Sequence, residues 1–283
     1  MVHATTRWVL YVVSLIVLGP LAGLLMGLTD APDGSAGTAI ASNSPVLGIV
    51  SLLVGSALAA GVGALAAWRC GLRPGLICSG IVLCWMAGMS AGATSTIVAN
   101  DGAPWGALVF EGVVVCASLL GIGVAIAIGA QHHTPDPGEH LVSQSAEAME
   151  TEHALRLTPR SAGGIVLAVV GGAAAAWALA LTDLRGQVIA AAAVAAIAIA
   201  MLVKLVDVKS PAIAAIAAAA LLAIAAPAYA MVSVPADQAL AAAYAQSLPG
   251  LVLVMPLDWA AGTLLGTPIG LAWAASIVKR AEH

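Results

Sequence analysis

The sequence predicts an all-α integral membrane protein with about eight transmembrane helices. Of its 283 residues, 61% are hydrophobic and only 8% are charged, and the mean hydropathy is +1.03. A soluble domain carries about 25% charged residues, so this chain has too few polar residues to cover a water-facing surface. Eight apolar segments reach or approach the roughly 20 residues that a membrane-spanning helix needs. Helices are favoured because they satisfy their own backbone hydrogen bonds in lipid.

The predicted spans are separated by short connections, except for one longer polar segment in the middle of the chain. The first span is longer than the roughly 7–15 apolar residues of a signal peptide, and we interpret it as a retained helix. The eighth contains Pro256 and Pro268, which predict a bend or a late start. The predicted spans are Trp8–Leu28, Pro45–Trp68, Gly75–Ala99, Trp105–Ala130, Ala162–Thr182, Gln187–Val203, Pro211–Val232 and Leu251–Val278.

The placement of basic residues supports this division and predicts an orientation. Lys and Arg favour the cytoplasmic ends of spans. With both termini in the cytoplasm, nine of the ten basic residues fall on the inner side and only Arg185 falls outside. Trp8, Trp68, Trp105 and Trp259 lie near predicted span ends, as in an interfacial aromatic belt. We therefore expect a multi-pass protein of a bacterial-type inner membrane.

The polar middle segment divides the chain into three parts. Residues 1–130 form the first four-helix half, residues 131–161 a cytoplasmic linker, and residues 162–283 the second four-helix half. Within the linker, Leu141–Leu157 has apolar residues at helical spacing, which predicts a short amphipathic helix.

The two halves share sequence features that predict an internal duplication. A shift of 153 residues pairs Arg7 with Arg160, and pairs Leu28-Thr29-Asp30 with Leu181-Thr182-Asp183. Four helices per half would make these parallel repeats, related by an axis along the membrane normal. Chance similarity among segments rich in Ala, Gly and Leu is the alternative.

Two carboxylates lie inside predicted spans, where ionisable groups are costly and often functional. If the fourth span starts at Trp105, Glu111 is about 9 Å below its boundary, at 1.5 Å per residue. Asp258 has a similar depth if the eighth span starts at Leu251. Both are candidates for proton or cation coupling. Alternatively, each residue begins its own helix at the interface and acts as a cap.

A small and polar stretch ends the third predicted span. Ser90, Thr94, Ser95 and Asn100 are candidates for lining a transport pathway. The same stretch contains a GxxxG pair, as does Gly262–Gly266–Gly270 in the eighth span, and small residues at this spacing also favour close helix packing. Packing is thus the favoured interpretation of these stretches, and a polar pathway lining is the alternative.

Other features give little indication of catalysis or metal binding. His132, His133 and His140 are weak candidates for a zinc or nickel site, because the linker lacks a repeated His-x-His pattern. The four cysteines have the spacing of buried apolar residues. The chain has no phosphate-binding loop, no HExxH and no GxSxG motif. We expect no catalytic residues and no cofactor.

These features favour a small permease, or a component of a transport system, for a cation or small solute. The alternative is a non-transporting structural or assembly subunit of a membrane complex, which the shortage of buried charges favours. The expected partners are the lipid bilayer and other membrane proteins or a second copy of the chain. A net charge of −4 gives no indication of nucleic-acid binding.

Overall fold

The computed structural model describes residues 2–30, 36–133 and 159–281, and within these ranges every regular element is a helix. Eight of the helices are long and apolar enough to cross a membrane, which confirms the predicted all-α multi-pass architecture. Most of the predicted linker lies outside the described residues. Spans 1 to 8 are Ala4–Gly27, Pro45–Cys70, Leu72–Met89, Trp105–Gln131, Ala162–Leu179, Arg185–Val206, Ala212–Ser233 and Pro256–Val278.

Span 3 is shorter than predicted, because the helix stops at Met89. Ser90 has an extended backbone (φ −82°, ψ 160°), and a separate short helix runs from Ala93 to Ala99. The prediction of one helix over Gly75–Ala99 was therefore wrong. The break is stabilised by tertiary contacts, described below, that the local sequence does not contain.

Span 8 starts five residues after the predicted bound at Leu251, which agrees with the late start that Pro256 predicts. Leu251 belongs to a four-residue helix, Gly250–Leu253, which is followed by extended residues, and the long helix begins at Pro256. The start at Pro256 is consistent with the preference of proline for the first turn, where its missing N–H is not needed. Asp258 thus lies in the first turn of the span, about 3 Å along the axis from its start.

The connections that follow spans 1, 3, 5 and 7 meet at one end of the bundle, which we call the Arg185 face. Ala91 N–H donates to Gly37 O at 3.0 Å, joining the connections after spans 3 and 1. Trp105 Nε1–H donates to Val234 O at 3.2 Å, joining the start of span 4 to the connection after span 7. The positions of these loops agree with an alternating up-and-down path through the bundle.

Packing between the first four and the last four spans is reciprocal. The most extensive contacts across the two sets are those of span 4 with span 7 and of span 3 with span 8. Within the sets, span 2 packs on span 4 and span 6 packs on span 8. Each span of the first set therefore packs like the span four places later. The pair of spans 4 and 7 corresponds to the pair of spans 8 and 3, and the pair of spans 2 and 4 corresponds to the pair of spans 6 and 8.

Small residues allow spans 6 and 8 to approach closely, as the GxxxG pattern predicts. A Cβ atom on Gly266 would lie 2.1 Å from Ala193 O, and one on Gly270 would lie 2.5 Å from Ile197 O. Gly88, by contrast, has nothing within 4 Å of a Cβ position. The packing interpretation is therefore confirmed for span 8 but not for Gly88 in span 3.

The predicted aromatic belt is correct for only some of its members. Trp8 and Trp68 are 64% and 47% exposed on the bundle surface. Trp105 and Trp259 are 5% and 0% exposed, so they belong to the core. The position of a tryptophan near the end of a span does not predict whether its ring faces the bundle surface or the core.

Candidate functional site

A buried ion pair joins span 6 to span 8 at the Arg185 face. Arg185 is the first residue of span 6, and its Nη2 lies 2.8 Å from Asp258 Oδ1. Its Nη1 donates to Asp258 Oδ2 at 3.2 Å, so the guanidinium and the carboxylate bond at two points. Two-point Arg–carboxylate pairs fix orientation more strongly than single contacts do.

The guanidinium group of Arg185 also binds span 3. Its Nε donates to Ala87 O at 3.2 Å, and its Nη2 donates to Ser90 Oγ at 2.9 Å. Ala87 and Ser90 lie at the point where the third helix breaks. One side chain from the second half therefore contacts spans 3 and 8 together, across the junction of the two halves.

Asp258 has a second structural task at the start of its own helix. Its Oδ2 accepts the N–H of Met255 at 2.9 Å, just ahead of Pro256. This is the reach-back contact of a capping box, in which an acidic residue in the first turn binds the N–H that precedes the helix. Asp258 thus combines an ion pair with a capping bond, and its helix starts neither at Leu251 nor at Asp258 itself.

Asp183 caps the short helix that follows the break in span 3. Its Oδ1 and Oδ2 accept the N–H groups of Ala93 and Thr94 at 3.1 Å and 2.9 Å. A Cβ atom on Gly92 would lie 2.7 Å from Asp183 Oδ1, so only glycine leaves room for the carboxylate. Carboxylates at helix N-termini satisfy otherwise unpaired N–H groups. This contact explains why the polypeptide can turn at residues 90–92.

A cavity of about 430 Å³ opens between these elements on the Arg185 face. Its charged lining consists of Asp30, Asp183 and Arg185, two acids and one base. Asp30 and Asp183 are the two aspartates that the 153-residue shift pairs. The remaining lining residues are small, polar or apolar side chains of the first half: Ala36, Gly88, Met89, Ser90, Ala91, Gly92 and Ser95.

Two of the four predicted pathway residues line this cavity. Ser90 and Ser95 face it, whereas Thr94 contributes its backbone N–H to Asp183. Asn100 is exposed, and its Nδ2 donates to Thr96 O at 2.8 Å at the end of the short helix. Of these four predicted residues, the structure therefore places two serines at the cavity, and one of them, Ser90, in contact with Arg185.

Glu111 occupies a different site from Asp258. It lies one and a half turns inside span 4, which begins at Trp105, so it does not cap its own helix. Its side chain is 1% exposed, and its Oε2 accepts the N–H of Ile40 at 2.9 Å. Glu111 therefore holds the connection between spans 1 and 2, where a Cβ atom on Gly48 would lie 1.8 Å from Ala39 O.

The histidine candidates form no metal site in the part of the chain that the structure describes. His133 Nδ1 lies 3.2 Å from Trp68 O on the exposed surface. No group of three His, Cys, Asp or Glu side chains suited to a metal ion occurs among the described residues. His132 is exposed, and His140 lies outside the described ranges.

Sequence reasoning missed the roles of Arg185 and Asp183. A signal for Arg185 was present, because it is the one basic residue that the charge rule leaves on the acidic side. A lone cation near a buried carboxylate predicts an ion pair. Asp183 gave no comparable signal, since its partner N–H groups lie 89 and 90 positions away.

Comparisons with known proteins add no constraint on this site. No protein-family model, no curated protein and no solved structure matches the chain.

Proposed function

We propose that this chain is a small permease for a cation or small solute, with the cavity as its entrance. The observation that carries the proposal is the open surface cavity of about 430 Å³, which is lined by residues of both sets of four spans and reaches Arg185, the partner of Asp258. Substrate sites of many transporters lie at the interface of structural repeats. Membrane cavities with ionisable linings often mark transport paths.

We infer that the Arg185 face is extracytoplasmic and that both termini are cytoplasmic, in a bacterial-type inner membrane. This orientation places nine of the ten basic residues on the cytoplasmic side, in agreement with the positive-inside preference. The exception, Arg185, is paired with Asp258. Because Asp258 neutralises its charge, Arg185 on the outer side conflicts less with the positive-inside preference than an unpaired arginine would.

We further propose that the two halves arose by duplication. In each half, a carboxylate of the fourth span binds a residue in the connection between the first two spans or at the start of the second. Glu111 binds the N–H of Ile40, and Asp258 binds Arg185, the first residue of span 6. The reciprocal packing of span 4 on span 7 and of span 3 on span 8 supports the same parallel two-fold relation.

The ion pair is suited to act as a gate below the entrance. Arg185 holds spans 3, 6 and 8 together through Ala87, Ser90 and Asp258, so separating it from these partners would loosen all three. A cation drawn in by Asp30 and Asp183 competes with the guanidinium for Asp258. Such competition couples substrate binding to opening, because a ligand shifts a conformational equilibrium only by its differential affinity for the two states.

Filling the cavity tests this proposal. Gly88→Leu adds a large side chain at the rim of the cavity, because Gly88 is one of its lining residues and has open space within 4 Å of the Cβ position. Gly121→Leu is the matched control, because Gly121 is exposed in span 4 and equally free of neighbours. Both variants would be reconstituted in liposomes and assayed for flux of protons, sodium, rubidium and glycerol.

The permease account expects at least one probe to cross with the native protein and with Gly121→Leu, and its flux to fall strongly in Gly88→Leu. Equal flux through the two variants contradicts the account. A non-transporting subunit is the second candidate. It is favoured by the engagement of both Glu111 and Asp258 by groups of the protein itself, and it expects no probe to cross in any variant.

A further inference from the structure

Span 8 carries three polar side chains on one face within the bundle core. Trp259, Thr263 and Thr267 are four residues apart, so they align along the helix. Each is 0% exposed. We call them the span 8 stripe.

The polar atoms of the stripe have no hydrogen-bond partner among the described residues. This holds for the indole Nε1 of Trp259 and for both threonine hydroxyls. Some comparable buried groups are bonded: Trp105 Nε1 donates to Val234 O, and Thr96 Oγ1 donates to Gly92 O at 2.7 Å. Within the described part of the chain, the hydroxyls of Ser14, Ser42 and Ser210 are also unpaired, but each stands alone on its own segment, whereas the stripe places three such groups in one row. Buried polar groups are almost always paired with protein or water, so three unpaired groups in one row would gain hydrogen bonds if water reached them.

The stripe leads from the ion pair toward the middle of the membrane. Trp259 directly follows Asp258, and Thr267 lies 11 residues beyond Pro256, at a depth of about 17 Å. The hydrocarbon core is about 30 Å thick, so Thr267 is near its midplane. Pro268 has no N–H to donate to the carbonyl of Leu264, which adds a hydrogen-bond acceptor at the same depth.

Close helix packing is provided by other faces of span 8. Gly262, Gly266 and Gly270 contact span 6, and Leu265 lies against Gly80 of span 3. The stripe residues are therefore not needed at either of these two close approaches. The indole ring of Trp259 packs in the hydrophobic core, but its Nε1 and the two threonine hydroxyls are left without a partner among the described residues, which is costly among apolar helices.

The chemistry of the stripe identifies the ligand as water. It offers one N–H donor and two hydroxyls, which both donate and accept, and it carries no charge. An indole N–H repels a bare cation, whereas a file of water molecules can accept from it and donate onward to the hydroxyls and to a free carbonyl.

We propose that the span 8 stripe lines a path that fills with water from the cavity to the membrane midplane when the Arg185–Asp258 pair separates. In the conformation described, the polar atoms are enclosed and the pair is closed. The proposal rests on the gate proposed above, but it does not require that any solute be transported.

Exchange of indole protons with water tests the path directly. The protein would carry isotope-labelled indole nitrogens in lipid nanodiscs, and Trp259→Phe and Trp105→Phe would assign the two signals. Trp105 is the matched control, because its indole is also buried but is bonded to a carbonyl. We expect the Trp259 proton to exchange about tenfold faster than that of Trp105, since exchange reports transient opening to water.

Further variants test whether the exchange of the Trp259 proton depends on the ion pair and on the threonine hydroxyls. Asp258→Asn weakens the pair and should raise the Trp259 rate further, and Arg185→Gln serves the same purpose if that variant does not fold. Thr263→Val combined with Thr267→Val keeps the shape but removes the hydroxyls, and should slow the exchange. A Trp259 proton that exchanges as slowly as that of Trp105 in both the native protein and the gate variant overturns the proposal. If the Trp259 proton exchanges fast but no probe crosses the liposome membrane, the permease proposal is wrong and the water-path proposal is supported.

Discussion

Arg185 and Asp258 lie 73 positions apart in the chain, yet Arg185 binds both carboxylate oxygens of Asp258, at 2.8 Å and 3.2 Å. Asp258 is fully buried, whereas 22% of the Arg185 side chain remains exposed. The pair thus stands at the boundary between the cavity and the helix core. Its arginine lines the cavity and its carboxylate lies in the packed core.

Removing either charge of this pair should destabilise the protein strongly. Arg185→Gln leaves the Asp258 carboxylate buried without its counter-ion, and breaking a buried pair costs about 3 kcal/mol. Asp258→Asn should cost less, because the guanidinium that it leaves without a counter-ion is 22% exposed. The double variant should lose clearly less than the sum of the two, because the interaction is already absent in each single variant. Reversible unfolding in mixed micelles measures all three, and additive losses would show that the two side chains are not coupled.

Asp183 should control the short helix at the entrance. Asp183→Ala removes the acceptor for the N–H groups of Ala93 and Thr94, and loss of such a cap costs about 1 kcal/mol. Asp183→Asn keeps one oxygen acceptor and should cost less. Hydrogen exchange of the amides at 93 and 94 measures the effect. Unchanged protection in Asp183→Ala would mean that the carboxylate does not cap this helix.

Glu111 should stabilise the connection between spans 1 and 2. Glu111→Leu leaves the N–H of Ile40 buried without an acceptor, which costs about 1–3 kcal/mol. Glu111→Gln retains an acceptor oxygen and serves as the control. Peptides covering residues 36–44 should exchange faster in Glu111→Leu than in Glu111→Gln. If the two variants exchange alike, the bond to Ile40 does not hold this segment.

Gly266 should be essential to the packing of spans 6 and 8. A methyl group in Gly266→Ala meets the backbone oxygen of Ala193 at 2.1 Å, so the helices must separate. Overpacking of this kind costs about 1–3 kcal/mol. Gly121→Ala adds the same methyl group to an unobstructed surface and should be nearly neutral. Thermal unfolding in detergent compares them, and equal midpoints would argue against the close approach.

Most of the helical architecture could be predicted from the sequence, because apolar length alone specifies a span. The starts at Pro45 and Trp105 coincide with prediction. At the start of span 8 the deciding contacts are local, Pro256 and the bond from Met255 N–H to Asp258, whereas at the end of span 3 the deciding partner is distant in the chain. The break after Met89 depends on Asp183, which binds the N–H of Ala93 from 90 positions away in the chain. The sequence around Met89 therefore does not show that the helix must end there.

The candidate site was predictable in part, for a related reason. Glu111 and Asp258 were identified because charged residues inside apolar segments stand out. Their partners differ, however, since Glu111 binds a backbone N–H and Asp258 binds a guanidinium. The composition of a span does not predict which kind of partner its carboxylate binds. The span 8 stripe could not be predicted either, because threonine and tryptophan are common in membrane helices. Only the structure shows that the polar atoms of these three side chains lack a hydrogen-bond partner among the residues it describes.

The most direct test of the central claim is labelling of a cysteine placed at the floor of the cavity. Ser90→Cys, in a chain lacking Cys70, Cys78, Cys84 and Cys116, puts a thiol beside Arg185. A membrane-impermeant maleimide would be added to intact cells, with Ser118→Cys within span 4 as the control. The account predicts that Ser90→Cys is labelled from outside, that Asp258→Asn accelerates the labelling, and that Ser118→Cys stays unlabelled. A thiol at position 90 that reacts only after the cells are opened would contradict an external, water-filled entrance at this ion pair.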